Sequence, residues 1–136
     1  MCLIRDDSIK ITGDRVWKVL MIRSLPTVRN FSSKKTVESI IRDYHWKKGW
    51  NEAYIPQPES SKIIRYGFHV YLKKEDAERY YKKYLGHPYF KFAAVEFTFD
   101  LKDLIATGRH EDHGTEEAVF KRLHLTEEEY KRVLST

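Results

Sequence analysis

Ten consecutive residues, Ile63 to Leu72, alternate between two chemistries and run without interruption into a helix-forming stretch. Ile64, Tyr66, Phe68, Val70 and Leu72 share one face at period two, and Ile63, Arg65, Gly67, His69 and Tyr71 share the other. This spacing predicts a strand over 63–72. The helix that follows, from Lys73 through Glu75, Asp76 and Ala77 to Tyr81, is expected to bury Ala77, Tyr80, Tyr81 and Tyr84 and to end at Gly86 and Pro88. A central strand that buries its apolar face would present Arg65, His69 and Tyr71 together, with Gly67 opening space for a ligand. Those three are the candidate ligand-binding residues, and His69 is also a catalytic candidate.

The rest of the chain can supply a core for such a strand. It has 136 residues, the length of one domain, with 41% hydrophobic and 14% aromatic side chains, which excludes a disordered chain. No apolar run approaches the roughly 18 residues that a membrane span needs, and the N-terminus lacks the pattern of a secretion signal. A protein of the cytoplasm, with no membrane partner, is therefore expected. Cys2 is the single cysteine, so neither an intramolecular disulfide nor a cysteine zinc site is available. Exposed as a new N-terminus it would be a nucleophile, whereas a small buried hydrophobe is its plainer role. The net charge of +5 permits an anionic partner, but the cations are interleaved with Asp and Glu and form no run of five or six like charges.

Further elements follow from local patterns. Cys2-Leu3-Ile4 reads as a short strand, Thr12-Gly13-Asp14 as a turn, and Val16 to Ile22 as an interior strand ended by Pro26. From Ser32 or Ser33, the recurrence of Val37, Ile40, Ile41 and Tyr44 predicts an amphipathic helix, with Gly49 at its C′ position after Lys47 and Lys48. Trp46, Lys47, Lys48 and Trp50, beside His45, form a basic aromatic cluster. Bases stack on indoles and lysines pair with phosphates, so these four are the nucleic-acid-binding candidates, with ordinary packing as the alternative. Residues 51–62, with Pro56, Pro58, Ser60 and Ser61, read as a polar loop.

Tyr89 to Phe99 reads as a strand whose alternation slips between Phe92 and Val95, predicting a bulge at Ala93-Ala94. Glu96 is the carboxylate in the strands that could face Arg65 or His69, which makes it the second catalytic candidate. Asp100 to Gly108 is expected to be a short helical turn closed by glycine. No metal site is expected. The nearest approach to one is His110 and His113 around Glu111 and Asp112, but the histidines of a catalytic helix stand four apart, and a solvated loop explains the segment as well. Thr126 to Glu129 is a capping box with Leu125 and Tyr130 as a hydrophobic staple. With a helix over Thr115 to Leu123, it predicts a C-terminal helical hairpin at about 115–135, hinged at His124. The expected fold is one α+β domain: a small, mostly antiparallel sheet of three or four strands with about four helices.

The Gly67-Phe68-His69 strand ahead of Glu75-Asp76-Ala77, the Ala94-Val95-Glu96 strand and Gly108 resemble a group of small uncharacterised proteins of bacteriophages and prophages. Met1-Cys2-Leu3-Ile4 and Trp17-Lys18-Val19-Leu20 add to a likeness that covers half of the chain. That resemblance implies a phage accessory protein acting on host machinery or host defence. A fainter one, in the histidine-bearing strand that leads into an alanine-bearing helix, is to the ADP-ribosyltransferase-like fold, including the RNA 2′-phosphotransferases, and implies sheet faces that cradle a dinucleotide. The chain departs from it in lacking a second histidine or tyrosine motif near its N-terminus and in offering only Glu96 for the catalytic glutamate. The expected function is non-enzymatic binding of a host protein or other anionic macromolecule, without a cofactor. The alternatives are a nucleotide binder or transferase using Arg65, His69 and Tyr71, and a nucleic-acid-binding module.

Overall fold

A computed structural model of the chain describes residues 3–26, 33–39, 44–56, 62–83, 85–87 and 90–135. Its strands are β1 (Leu3–Arg5), β2 (Val16–Pro26), β3 (Ser33–Ser39), β4 (His45–Trp46), β5 (Gly49–Glu52), β6 (Ile63–Ile64), β7 (Phe68–Tyr71), β8 (Lys91–Phe97), β9 (Leu104–His110), β10 (Glu116–Phe120) and β11 (Arg122–Leu125). Two α-helices accompany them among the described residues, α1 (Lys74–Lys82) and α2 (Glu127–Leu134), with a single 3-10 turn at Leu101–Asp103. The molecule is therefore dominated by sheet, which overturns the expected α+β arrangement with about four helices.

Strand β2 organises the sheet. One of its edges pairs with β8 along Val16–Ile22, and the other meets β7 at Trp17↔Tyr71 and then β3 from Leu20 to Pro26. Two strands thus share one edge in succession, and the sheet forks there. Order runs β4-β3-β2 on one arm and β2-β7-β10-β9-β1-β6 on the other, all antiparallel, while β5 and β11 form a separate two-stranded ribbon. At the fork, Lys18 Nζ donates to His69 O at 2.9 Å. The ammonium satisfies a carbonyl where the β2–β7 ladder stops.

The main core lies on the β2 face that carries Val16, Leu20 and Ile22. Trp46, Phe68, Val70, Val95, Phe97, Ala118, Phe120, Leu123, Leu125 and, from α2, Val133 join it. A smaller cluster of Leu3, Ile64, Ala106 and Val119 lies on the other face of the β1–β9–β10 arm. Helix α1 packs against β2, β7 and β8, and its Tyr80 ring stands 6.0 Å from that of Tyr71. It therefore covers the face of β7 opposite Phe68 and Val70. No helix among the described residues is long and apolar enough to cross a membrane.

Several local expectations are corrected by tertiary pairing. The helix expected from Ser32 or Ser33 is the β3–β4 hairpin, in which Val37 pairs with Trp46 and Glu38 with His45; Ile40 and Ile41 lie outside the described residues. Gly49 has a φ of 94°, but it turns the chain between β4 and β5 rather than ending a helix. The single strand expected over 63–72 is two, broken at Gly67, whose φ is 105°. No bulge interrupts β8. Its seven residues keep register with β2, and the slipped alternation reflects burial of both Phe92 and Val95 on a strand covered on two faces. Residues 104–110 extend as β9, where Gly108 sits against the Ile4 carbonyl so closely that a side chain would collide with it.

The C-terminal helical hairpin is corrected in its first half. Glu117, Ala118, Val119 and Phe120 are all buried, so the apolar pair Val119 and Leu123, read at helical spacing, belongs to the strands β10 and β11. Thr126 does cap α2, its Oγ1 accepting the Glu129 N–H at 3.2 Å. The reciprocal half of the capping box does not close, because the Glu129 carboxylate binds elsewhere.

Candidate binding surface

A concave surface lies where the β5–β11 ribbon meets the end of β8. It is built on a tight loop. Asn51, fully buried, accepts from the Tyr44 hydroxyl and from Lys47 N–H at 3.1 Å each, and donates to Lys47 O at 2.9 Å and Gly49 O at 3.1 Å. Those four bonds use two acceptor sites and both donors of the amide. The loop they fix carries Trp50, which alternates outward on β5 from the inward Asn51 and remains 43% exposed.

Strand β11 supplies the groove's other wall through register. Trp50 pairs with His124, whose ring meets the indole edge-on at 5.0 Å, and the Arg122 guanidinium stands 4.4 Å over the indole. The Asp103 carboxylate lies near the same guanidinium, with Oδ2 4.0 Å from Arg122 Nε. His124 and Thr98 exchange backbone hydrogen bonds at 2.9 and 3.0 Å, and Thr98 Oγ1 lies 3.2 Å from His124 Nδ1, which ties the ribbon to β8. Trp50, Thr98, Phe99, Asp100, Leu101 and His124 line an open groove of about 500 Å³. Leu101 is 63% exposed on its rim. The arrangement offers a rigid aromatic plane, an aliphatic rim and few charges, suited to receiving an apolar side chain.

The residues singled out from sequence distribute differently. Of the basic aromatic cluster, Trp50 stands in this groove, whereas Trp46 is 3% exposed and packs with Tyr44, Phe68 and Phe97 in the core. Lys47 and Lys48 are exposed, and Lys48 Nζ lies 3.8 Å from Glu127. Of the two indoles in this cluster, Trp50 alone is therefore available for stacking.

Arg65, His69 and Tyr71 do not form an open face. Arg65 is exposed but precedes the break at Gly67; His69 is half-buried with Nε2 shut from solvent; Tyr71 is buried beneath α1. Gly67 opens no ligand space, since a Cβ there would strike Val119 Cγ1. Glu96 lies on β8 across from Trp17, its carboxylate 3.6 Å from Arg15 Nε. His110 Nδ1 accepts from Asp112 N–H at 3.1 Å and His113 N–H at 3.3 Å, and the two imidazoles stack at 4.7 Å. Burial, and after it the neighbouring His113, lowers the His110 pKa. Its accepting nitrogen is committed to the turn, and among the described residues no three His, Cys, Asp or Glu side chains gather as a metal site. Cys2 lies outside the described residues.

A second cluster of ionisable groups sits at the fork. Burial lowers the Lys18 pKa to about 8 against the attraction of Glu117. Burial likewise raises Glu117 to about 7, opposed by a 2.9 Å hydrogen bond from Thr115 and by Lys18. Sequence reasoning missed both, and also missed Asn51, Arg122, His124 and Leu101 as partners. An isolated lysine in an apolar run, Val16-Trp17-Lys18-Val19-Leu20, was the one signal for the first.

The fold and the groove together define a sheet-rich protein with an exposed aromatic groove. No family model matches the chain, and neither a curated protein nor a solved structure matches it.

Proposed function

We propose that this is a non-enzymatic binding protein that docks a protein partner on the Trp50 groove. The observation that carries the reading is an exposed indole whose loop is fixed by Asn51 and whose ring is covered on one side by Arg122. Preorganised aromatic anchors of this kind dominate protein interfaces because little conformational freedom remains to be lost on binding. The partner presents an aliphatic or aromatic side chain that enters between Trp50 and Leu101. The resemblance to phage and prophage proteins supports a host protein as that partner and the host cytoplasm as the place of action.

A protein fits better than a nucleic acid. Trp46 is buried, Asp100 brings a carboxylate to the groove, and Lys48 is paired with Glu127, so stacking and phosphate pairing have little to work with. A nucleotide on Arg65, His69 and Tyr71 would have to displace α1.

The test is affinity capture from a bacterial lysate by the wild-type chain, Trp50→Ala and Leu101→Glu, followed by titration of the purified captured protein. Binding by the wild type and loss by both variants supports the reading. Equal binding by all three, or capture of nucleic acid that weakens steeply with salt, overturns it.

A further inference from the structure

Strand β8 has β2 along one edge; along the other, among the described residues, His124 of β11 bridges Thr98 just past the strand's end and the side chains of α2 reach Ala94 and Glu96. Residues two apart on a strand send their backbone N–H and C=O to the same edge. Ala94 and Glu96 are such a pair. Glu129 Oε2 accepts the Glu96 N–H at 2.7 Å, and Arg132 Nη2 donates to the Ala94 carbonyl at 2.9 Å. The two side chains stand three residues apart on α2 and are joined to each other. Arg132 Nη2 donates to Glu129 Oε2 at 2.9 Å, and Arg132 Nε donates to Glu129 Oε1. Together they present one acceptor and one donor to β8 at the spacing a neighbouring strand's backbone would use.

The covered segment needs such a cover. Lys-Phe-Ala-Ala-Val-Glu-Phe carries one positive and one negative charge, no proline and no glycine. An open edge of that composition pairs readily with copies of itself, and natural sheets block such edges. An antiparallel pairing of two β8 edges is also self-complementary, the requirement of a two-fold dimer.

We propose that Glu129 and Arg132 act as a strand surrogate that closes the β8 edge against the β8 edge of a second copy of this chain. It explains why Glu129 leaves the capping box half made: its carboxylate is committed to β8 and to Arg132. Helix α2 keeps its anchors, Val133 in the core and the Thr126 cap, when the two side chains are removed, but loses its bonds to Ala94 and Glu96, and a second β8 reaches the freed N–H and carbonyl as the helix tilts off the edge.

The test compares wild type, Glu129→Ala/Arg132→Ala and Glu129→Gln by sedimentation equilibrium over a concentration series, with amide exchange read at β8. The double variant is expected to shift from monomer to dimer as concentration rises, with Ala94 and Glu96 amides slowing on association. Glu129→Gln keeps an acceptor for the Glu96 N–H and is expected to remain monomeric with the wild type. A folded double variant that stays monomeric, an association that leaves the β8 amides fast, or a wild type that already pairs through β8 overturns the proposal. If the double variant does not fold, Arg132→Met, which keeps the aliphatic stem and loses the donor, takes its place; self-association no stronger than wild type then overturns it.

Discussion

The side-chain amide of Asn51 holds the backbone of Lys47 at both ends, accepting its N–H at 3.1 Å and donating to its carbonyl at 2.9 Å. With Tyr44 and Gly49 as the remaining partners, this one buried residue shapes the loop that presents Trp50. Replacing it by alanine leaves several part-buried polar groups without their partner. Asn51→Ala is expected to cost about 2–4 kcal/mol of stability in urea unfolding. A loss below about 1 kcal/mol would show that solvent reaches the loop and that its rigidity has another source.

The two indoles next to that loop should behave in opposite ways. Trp46 lies in the core against three aromatic rings, and Trp46→Ala is expected to cost about 3–5 kcal/mol. Trp50→Ala should leave the thermal midpoint almost unchanged, within about 1 kcal/mol, while abolishing partner binding. If Trp50→Ala unfolds the protein, the indole is a structural element and the groove reading fails.

Glycine substitutions separate backbone strain from packing. Gly67 and Gly49 both have positive φ, 105° and 94°, but a Cβ at Gly67 meets Val119 and Ile105 whereas one at Gly49 meets nothing within 4 Å. Gly49→Ala should cost only the strain of a left-handed residue, about 1–2 kcal/mol. Gly67→Ala should cost that plus overpacking, about 2–5 kcal/mol in all. Denaturant midpoints of the two variants check the order, and equal losses would mean that the sheet around Val119 yields freely.

The buried pair at the fork predicts an unusual pH profile. Between 4.5 and about 7 the folded chain keeps a proton on Glu117 that the unfolded chain has released, so raising pH in that window removes stability. Between about 8 and 10.5 the unfolded chain keeps a proton that Lys18 has lost in the fold, so raising pH there adds stability. The contribution of the pair is therefore least favourable between about 7 and 8. Lys18→Met/Glu117→Leu should flatten the dip and raise stability at neutral pH by about 1–4 kcal/mol. Urea midpoints measured from pH 4 to 10 decide it; a dip that survives the double substitution belongs to other groups.

Glu129 should respond to acid in the other direction. Burial works to raise its pKa, but the hydrogen bonds from Arg132 and the Glu96 N–H prevail and hold it below the ordinary carboxylate value of 4.5. A lowered folded-state pKa gives stability that is complete above the unfolded value and is lost as pH falls through the folded one. Glu129→Gln should be less stable than wild type at neutral pH and approach it in acid. Parallel pH profiles would show that the carboxylate contributes nothing through its charge.

What the chain declares on its own are the elements whose stabilising partners are near in sequence. The strand at Val16 to Ile22 follows from a continuous β-branched and aromatic run, α1 from its acidic first turn and the apolar spacing of Ala77, Tyr80 and Tyr81, and the start of α2 from Thr126 capping an N–H three residues on. Helical bonds and caps close within four residues, so the pattern that makes them can be read locally. Strand bonds do not. Val37 pairs with Trp46, Glu117 with Tyr71, and Trp50 with His124, and in each case the deciding partner lies beyond the four residues within which a helical bond closes. Burial on both faces then erased the alternation that would have marked β10 as a strand and made that of β8 look slipped. The predicted Arg65, His69 and Tyr71 face failed for the same reason, because α1 folds back over β7 and Gly67 gives its space to Val119. The groove exists only because register sets Trp50 of β5 beside His124 and Arg122 of β11 and the stretch from Thr98 to Leu101 packs against them, a non-local choice made by hydrogen-bond pairing and core packing together.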